Sequence, residues 1–290
     1  MRRRDLFKRG LAAAAGAHPL AAMAASSEGK TPFRHSVCRW CFGAMPLGSL
    51  ARMARDIGIA SVELLDPDEW PVVQAAGLTC AMASAPAPPV ALAGRAGPIE
   101  WGWNRSEHHD WLVPAYTRLI EQAAAAGIPN VVCFSGNRAG LSDVQGLATC
   151  TAGLRRITPA AERLGVTVCM ELLNSRVDHP DYQADHTAWG VALVDAVGSD
   201  RFRLLYDIYH MQIMEGDVIR TVTAHARAIG HYHTAGVPGR HETDDTQELF
   251  YPAIARAIAA TGFSGYVAQE FIPTGDPRTV LAEAVARCTV

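Results

Sequence analysis

The chain has 290 residues, 49% of them apolar and 19% charged, with a formal net charge of −3. That is a globular composition with enough apolar residues for a large core. Near-neutral charge, with basic residues in a run only at the N-terminus, argues against a nucleic-acid or membrane-surface partner.

Residues 1–25 read as a separate segment. Arg2-Arg3-Arg4-Asp5-Leu6-Phe7-Lys8-Arg9 precedes an Ala-rich apolar stretch and Ala22-Met23-Ala24, the plan of a cleaved export signal. The adjacent arginines resemble the twin-arginine signal, which implies a bacterial periplasmic protein exported already folded; a cytoplasmic location is the alternative. The stretch is too short and Ala-rich for a span of about 20 residues, so no membrane association is expected after cleavage. Residues 26–34 are a polar linker, and 35–290 a single domain.

From residue 35, strands and helices alternate. A strand over 35–40 is followed by a helix over 46–57, whose apolar residues recur at helical spacing and which Gly58 closes. A strand over 60–65, a short helix over 66–76 and a strand over 78–83 come next. Residues 84–109 form a long irregular segment with Trp101 and Trp103, expected to fold over a substrate or to anchor itself at the rim. A helix over 110–126 ends at Gly127, and strand four covers 130–135. One long helix is expected over 142–164, then a strand over 166–175. Helices over 182–197, 217–228, 247–260 and 277–286 alternate with strands over 202–207, 229–234 and 266–270. The seven cysteines lie mostly in apolar runs, as small buried hydrophobes do. Cys38 and Cys41 have C-x-x-C spacing but lack the second pair a zinc site requires.

Eight short apolar strands, each followed by a helix, predict an α/β fold, a (β/α)8 TIM barrel. A doubly wound open sheet is the alternative, but it would not so readily gather the later strand ends. Those ends carry Glu171, Asp207, His233 and Glu270. In a barrel they meet over one mouth, and the four are expected to hold one divalent metal ion. Oxygen donors with one imidazole suit Mg²⁺ or Mn²⁺ first, with Co²⁺ or Zn²⁺ allowed. For each residue alone, a helix cap or a satisfied core position is the plain alternative. A metal beside a carbonyl and a neighbouring hydroxyl acidifies the C–H bond between them. Glu171 and Glu270 would then transfer the proton as the catalytic pair. His210 could donate to a substrate oxygen. Arg240 suits a substrate carboxylate, or a rim salt bridge. No organic cofactor is expected, since neither a G-x-G-x-x-G nor a P-loop motif is present.

Several runs resemble the hydroxypyruvate isomerases of the xylose-isomerase-like barrel superfamily. They are Met170-Glu171-Leu172-Leu173-Asn174, Tyr206-Asp207-Ile208-Tyr209-His210, Thr234-Ala235-Gly236-Val237-Pro238-Gly239-Arg240-His241-Glu242 and Gln269-Glu270-Phe271. Glu100-Trp101-Gly102 in the long loop resembles a further segment, and Trp101 is expected to touch substrate. The resemblance implies interconversion of hydroxypyruvate and 2-hydroxy-3-oxopropanoate through an enediol, with Glu171 and Glu270 catalytic. It also implies metal ligation by Glu171, Asp207, His233 and Glu270. His233 departs from the Gln that these isomerases can carry there and matches related ketose epimerases. The expected partner is a small hydroxy-carbonyl substrate, and a homo-oligomer is compatible with the composition. A sugar 3-epimerase, an inosose-type dehydratase and a non-catalytic periplasmic binding protein are the rivals. An endonuclease IV-like phosphodiesterase fits poorly, because the metal residues supply one site and no basic groove is apparent.

Overall fold

The computed structural model describes residues 32–89 and 97–290. The predicted export signal over 1–25 lies outside the described residues, as does the linker up to residue 31. Its last residue, Arg34, already begins the first strand.

The strands are β1 (Arg34–Cys38), β2 (Ser61–Glu63), β3 (Asn130–Cys133), β4 (Thr167–Glu171), β5 (Phe202–Asp207), β6 (Ile229–Thr234) and β7 (Tyr266–Gln269). The helices are α1 (Leu47–Ile57), α2 (Trp70–Ala75), α3 (His109–Ala126), α4 (Asp143–Leu154), α5 (Thr158–Leu164), α6 (Thr187–Val197), α7 (Ile208–Met214), α8 (Val218–Ala224), α9 (Tyr251–Ala260) and α10 (Pro277–Arg287). The strands pair in parallel in the order β2-β1-β7-β6-β5-β4-β3, a curled sheet of the TIM-barrel type.

The expected strand over 78–83 is present only as isolated bridges: Ser61 with Thr79, Leu65 with Ala83, and Ala83 with Val131. These span the gap between β2 and β3. Side chains replace the missing ladder. Ser61 Oγ accepts from the Ala81 N–H at 2.7 Å, and Asn130 Nδ2 donates to the Ala81 carbonyl at 2.8 Å. With Ala81 satisfied in this way, the backbone has no need of a regular strand.

Other boundaries move for local reasons. The single helix expected over 142–164 is two, α4 and α5, broken at 155–157. Pro159 lacks an N–H, and in a continuous helix its ring would meet the Arg155 carbonyl. The helix expected from 182 starts at Thr187. Tyr182 is instead buried, its hydroxyl donating to the Glu171 carbonyl at 2.9 Å and accepting from the Ser135 N–H at 3.0 Å. The expected helices over 66–76, 217–228 and 247–260 shorten to α2, to α8 plus one 3-10 turn (Ala226–Ala228), and to α9. Gly58 and Gly127 close α1 and α3 in the left-handed conformation, as expected. The sequence reading missed α7, which follows β5 without a loop.

The long segment is pinned where Trp103 enters the core. Trp103 is fully buried; its backbone N–H donates to the Phe134 carbonyl at 3.1 Å, and the Asn104 backbone N–H to the Ser135 carbonyl at 2.8 Å. Burial of a ring of this size contributes roughly 3 kcal/mol. Gly102 is required by the same approach, since a Cβ there would lie 2.1 Å from Gly136 N. All seven cysteines are buried and free.

Candidate active site and metal centre

Strand register sets the site. Asp207 pairs with His233 across β5 and β6, so both side chains leave the sheet on the same face. Glu171 ends β4, and Glu270 lies one residue past β7, its N–H donating to the Thr234 carbonyl at 2.9 Å. One ligand atom from each of Glu171, Asp207, His233 and Glu270 lies within 4.8 Å of the others, and all four residues are buried. His233 Nδ1 is 2.8 Å from Glu270 Oε2 and 3.5 Å from Glu171 Oε1.

Asp207 does two things. Oδ1 caps α7, accepting from the Tyr209 N–H at 2.8 Å, while Oδ2 faces the cluster. The helix-cap alternative and the ligand reading thus use different oxygens of one carboxylate.

Arg240 enters the centre. Its Nη2 donates to Asp207 Oδ2 at 3.1 Å and to Glu270 Oε2 at 2.6 Å, and Nη1 lies 3.0 Å from His210 Nε2. Its backbone has φ of 60°, which a non-glycine residue rarely adopts. The Arg240 N–H donates to the Gly236 carbonyl at 3.0 Å and holds that turn. The guanidinium therefore lies against the acids of the cluster, as a salt bridge would, and also lines the adjoining cavity.

His210 is in α7 and fully buried, rather than on an exposed loop. Its Nδ1 lies 2.7 Å from Asn174 Nδ2. The Asn174 orientation is fixed, because its oxygen accepts from the Val177 and Asp178 N–H groups. Burial, and then the Arg240 charge, hold His210 well below its ordinary pKa, so it is neutral. A neutral imidazole has one N–H and one lone pair. Nδ1 accepts from Asn174, so Nε2 carries the proton, with Asp207 Oδ2 3.5 Å away beside the Arg240 guanidinium.

Burial pushes the Glu270 carboxyl up, but the His233 and Arg240 charges outweigh it and hold Glu270 well below the usual carboxylate range. Burial drives Asp207 the other way, well above that range, despite Arg240. Burial lowers His233, yet Cys38, Glu270 and Glu171 around it bring it well above its ordinary value. The donor set suits a cation. Three carboxylates and one imidazole, all buried, converge with one donor atom each within 4.8 Å of the others, and hard oxygen donors match a divalent ion.

A cavity of 510 Å³ opens beside the cluster. Glu171, His210, Arg240 and Glu270 line it on one side, and Leu64, Ile99, Val132 and Phe134 are among its apolar walls. Trp101 stands apart from these groups. Its ring packs on His108 with centroids 4.7 Å apart, and the loop contributes Gly97, Pro98, Ile99 and Glu100 to the cavity instead.

Several residues at the site were not singled out from sequence. The indole N–H of Trp40 donates to Glu270 Oε1 at 2.7 Å. Asp178 accepts from Asn174 Nδ2 at 2.6 Å and from the Tyr209 hydroxyl at 2.8 Å. Glu63 in β2 contacts His231 and His233 from behind. Burial pushes Glu63 up, but the His231 charge and the hydrogen bonds of both imidazoles bring it down to about 2. Its signal was legible: a lone acid inside the buried run Ser61-Val62-Glu63-Leu64-Leu65.

The xylose isomerase-like TIM barrel family matches residues 51–288. The 2-oxo-tetronate isomerase of Cupriavidus necator is 34% identical over 157 residues, 54% of this chain and 60% of that protein. The hydroxypyruvate isomerase of Escherichia coli is 33% identical over 155 residues, 53% of this chain and 59% of that protein. The matched stretch thus spans less than two thirds of either relative. A crystal structure described as an AP endonuclease, family 2, from Brucella melitensis has a TM-score of 0.75 at 26% identity, covering 88% of this chain and 99% of that one. With strand order, the mouth of buried acids and the match over most of its length in agreement, the chain belongs to the xylose isomerase-like TIM barrel family.

Proposed function

We propose that this protein is an isomerase of short 2-oxo-3-hydroxy acids, interconverting hydroxypyruvate and 2-hydroxy-3-oxopropanoate. The observation that carries the reading is the pairing of two carboxylates, Glu171 and Glu270, with one permanent cation, Arg240, around a single cavity. The two isomerases named among the relatives point to the same chemistry. Arg240 and neutral His210 bind and orient the acid: the guanidinium holds a carboxylate oxygen, and the imidazole meets the adjacent oxygen. Glu171 has one close ionic contact, to His233, and is the less engaged acid, so it takes the C3 proton. The C3–H electron pair becomes the C2=C3 bond, and the C2 carbonyl electrons move to its oxygen. The C3 hydroxyl proton passes to the C2 oxygen, with His210 in reach of the exchange. Collapse forms the C3 carbonyl, and C2 receives its proton from the carboxylic acid of the Glu171–Glu270 pair. A divalent ion held by Glu171, Asp207, His233 and Glu270, Mg²⁺ or Mn²⁺ by donor type, would stabilise negative charge on the two substrate oxygens.

A second substrate has an observation in its favour. The 2-oxo-tetronate isomerase among the relatives favours a four-carbon acid, and the cavity of about 510 Å³ admits either acid. Nucleic acid is not the proposed partner, since among the described residues Arg240 is the one Arg or Lys lining the cavity. Periplasmic location through the twin-arginine route is likewise proposed, and cell fractionation of the chain with Arg2 and Arg3 both replaced by Lys tests it. Among the described residues no helix is long and apolar enough to cross a membrane.

The test is incubation of the Mn²⁺- or Mg²⁺-loaded chain with hydroxypyruvate or 2-oxo-tetronate in D₂O, followed by NMR, with a chelator-treated control. Metal-dependent isomer formation with deuterium at the new C–H supports the reading. Exchange on ketoses alone would move the protein to sugar epimerisation. No exchange on any of them, with retained ligand binding, would replace catalysis by a binding role.

A further inference from the structure

Three side chains that take no part in the proposed reaction are buried completely behind His233: Glu63, His231 and Cys38. Cys38 and Glu63 are register partners on β1 and β2, and His231 lies two residues from His233, so each pair shares a sheet face. β2 and β6 are not neighbours; β1 and β7 stand between them. Glu63 therefore reaches His231 and His233 across the barrel interior. Its Oε1 lies 2.8 Å from His231 Nε2 and 2.9 Å from His233 Nε2.

We infer that Glu63, steadied by His231, is a positioning residue that presents His233 to the metal centre with its Nδ1 lone pair forward. This rests on the reading of Glu171, Asp207, His233 and Glu270 as metal ligands. An ionised carboxylate only accepts hydrogen bonds, so both imidazoles place a proton on Nε2. Without a metal His233 also has a proton on Nδ1, shared with Glu270; with Nε2 held by Glu63, the Nδ1 proton is the one a cation displaces, and Nδ1 is the atom that faces Glu171 and Glu270. A buried carboxylate is costly, and an apolar residue of similar size would serve packing better. What an apolar residue cannot do is select the tautomer. His231 makes the selection one-sided: its ring stands at 83° to that of His233, centroids 5.2 Å apart, and it donates to the same oxygen. Among the described residues Glu63 Oε2 has no hydrogen-bond partner, so both imidazoles hold the carboxylate by one oxygen. Cys38 touches the same ring, with Sγ 3.8 Å from His233 Nε2 and 4.0 Å from Glu63 Oε1, but sulfur is too weak a donor and acceptor to fix the proton.

The test compares the full chain with Glu63→Gln, Glu63→Leu and Cys38→Ala. The readouts are the Mn²⁺ dissociation constant by calorimetry, the melting temperature of the metal-free protein, and the imidazole ¹⁵N spectrum of the metal-free and Zn²⁺-loaded protein. Glu63→Leu should weaken Mn²⁺ roughly 10–100-fold, and Glu63→Gln, which keeps an acceptor but not the charge, by less. Cys38→Ala should bind as the wild type does. In the Zn²⁺-loaded protein the His233 signals should show Nε2–H in the wild type and mixed tautomers in Glu63→Leu. Unchanged Mn²⁺ affinity in Glu63→Leu, or equal weakening in Cys38→Ala, overturns the inference and leaves packing as the role of Glu63. If Glu63→Leu does not fold, wild-type affinity and wild-type imidazole signals in Glu63→Gln overturn it equally. A wild-type chain that binds no Mn²⁺ instead brings down the metal centre itself.

Discussion

The two arcs of the barrel are built differently. From β4 to β7 the strands are adjacent and paired by continuous ladders, with one register shift at Leu204/Leu205, and every candidate metal ligand stands at, next to or just past a strand end there. From β1 to β3 the ladder is interrupted: β2 is only three residues long, residues 79–83 join by isolated bridges, and the long segment after residue 84 belongs to this side. The first arc fixes donor atoms to within hydrogen-bond tolerance, because each ligand is anchored by its strand's register. The second supplies apolar wall and the loop residues Gly97–Glu100, where shape matters more than register. Chemistry sits on the rigid arc and access on the irregular one, an arrangement that lets substrate choice vary without disturbing proton transfer.

The largest break in that comparison comes from the rigid arc. Glu171→Gln keeps size and shape and removes the base. At saturating Mn²⁺ we expect turnover of hydroxypyruvate to fall by roughly 10²–10⁴-fold, with the melting temperature near wild type. Steady-state kinetics beside a thermal melt checks it; turnover within tenfold of wild type would remove Glu171 from the proton-transfer role.

The same contrast explains what the sequence disclosed. Regular strands announce themselves by apolar runs, and acids at their ends stand out against them, so Glu171, Asp207, His233 and Glu270 were legible together. Residues 79–83 looked like the other strands because their side chains are as apolar. The difference lay in Ser61 and Asn130, whose side chains satisfy Ala81 from elsewhere in the chain, a tertiary effect no local pattern carries. α7 was hidden because it begins at once after Asp207, with the ligand doubling as the cap. Trp101 and Trp103 are near-identical in sequence context, yet one packs on His108 and the other anchors the loop in the core. Glu63 was readable as an oddity, but its partners lie 168 and 170 residues away.

At the end of β1 remote from the site, His35 gives a pH test. Burial pushes its imidazole down to about 4. The fold favours the neutral form, so this contribution is intact above the ordinary value of 6.5 and is lost as pH falls towards 4. The loss should reach about 3 kcal/mol by pH 4. Urea unfolding at pH 7 and pH 4 should show that much less acid sensitivity in His35→Phe than in wild type. Equal sensitivity would mean that acid acts through other groups.

Gly102→Ala probes the irregular arc with a smaller expected cost, about 1–3 kcal/mol for forcing a methyl into backbone. The added Cβ must push Gly102 away from Gly136 and Ser135, and the loop residues that line the cavity move with it. A raised KM with a nearly unchanged kcat is the expected kinetic signature, because the donor atoms on the other arc stay in place. A fall in kcat alone would show that the two arcs are coupled more tightly than their separate anchoring suggests.

Trp40 is where such coupling would run, and it is the finest test. It follows β1, on the irregular arc, yet its indole N–H donates to Glu270 on the rigid one at 2.7 Å, and its ring lies 5.1 Å from the Arg240 guanidinium. The side chain is 45% exposed, so the hydrogen bond is partly replaceable by water and contributes about 1 kcal/mol rather than the upper range for charged acceptors. Trp40→Phe removes the donor and keeps an aromatic ring over Arg240. If the bond holds Glu270 in its productive rotamer, kcat should fall about fivefold with KM unchanged. If KM rises instead, Trp40 acts on substrate through the cavity wall, and the arcs divide the work as cleanly as their strand pairing does.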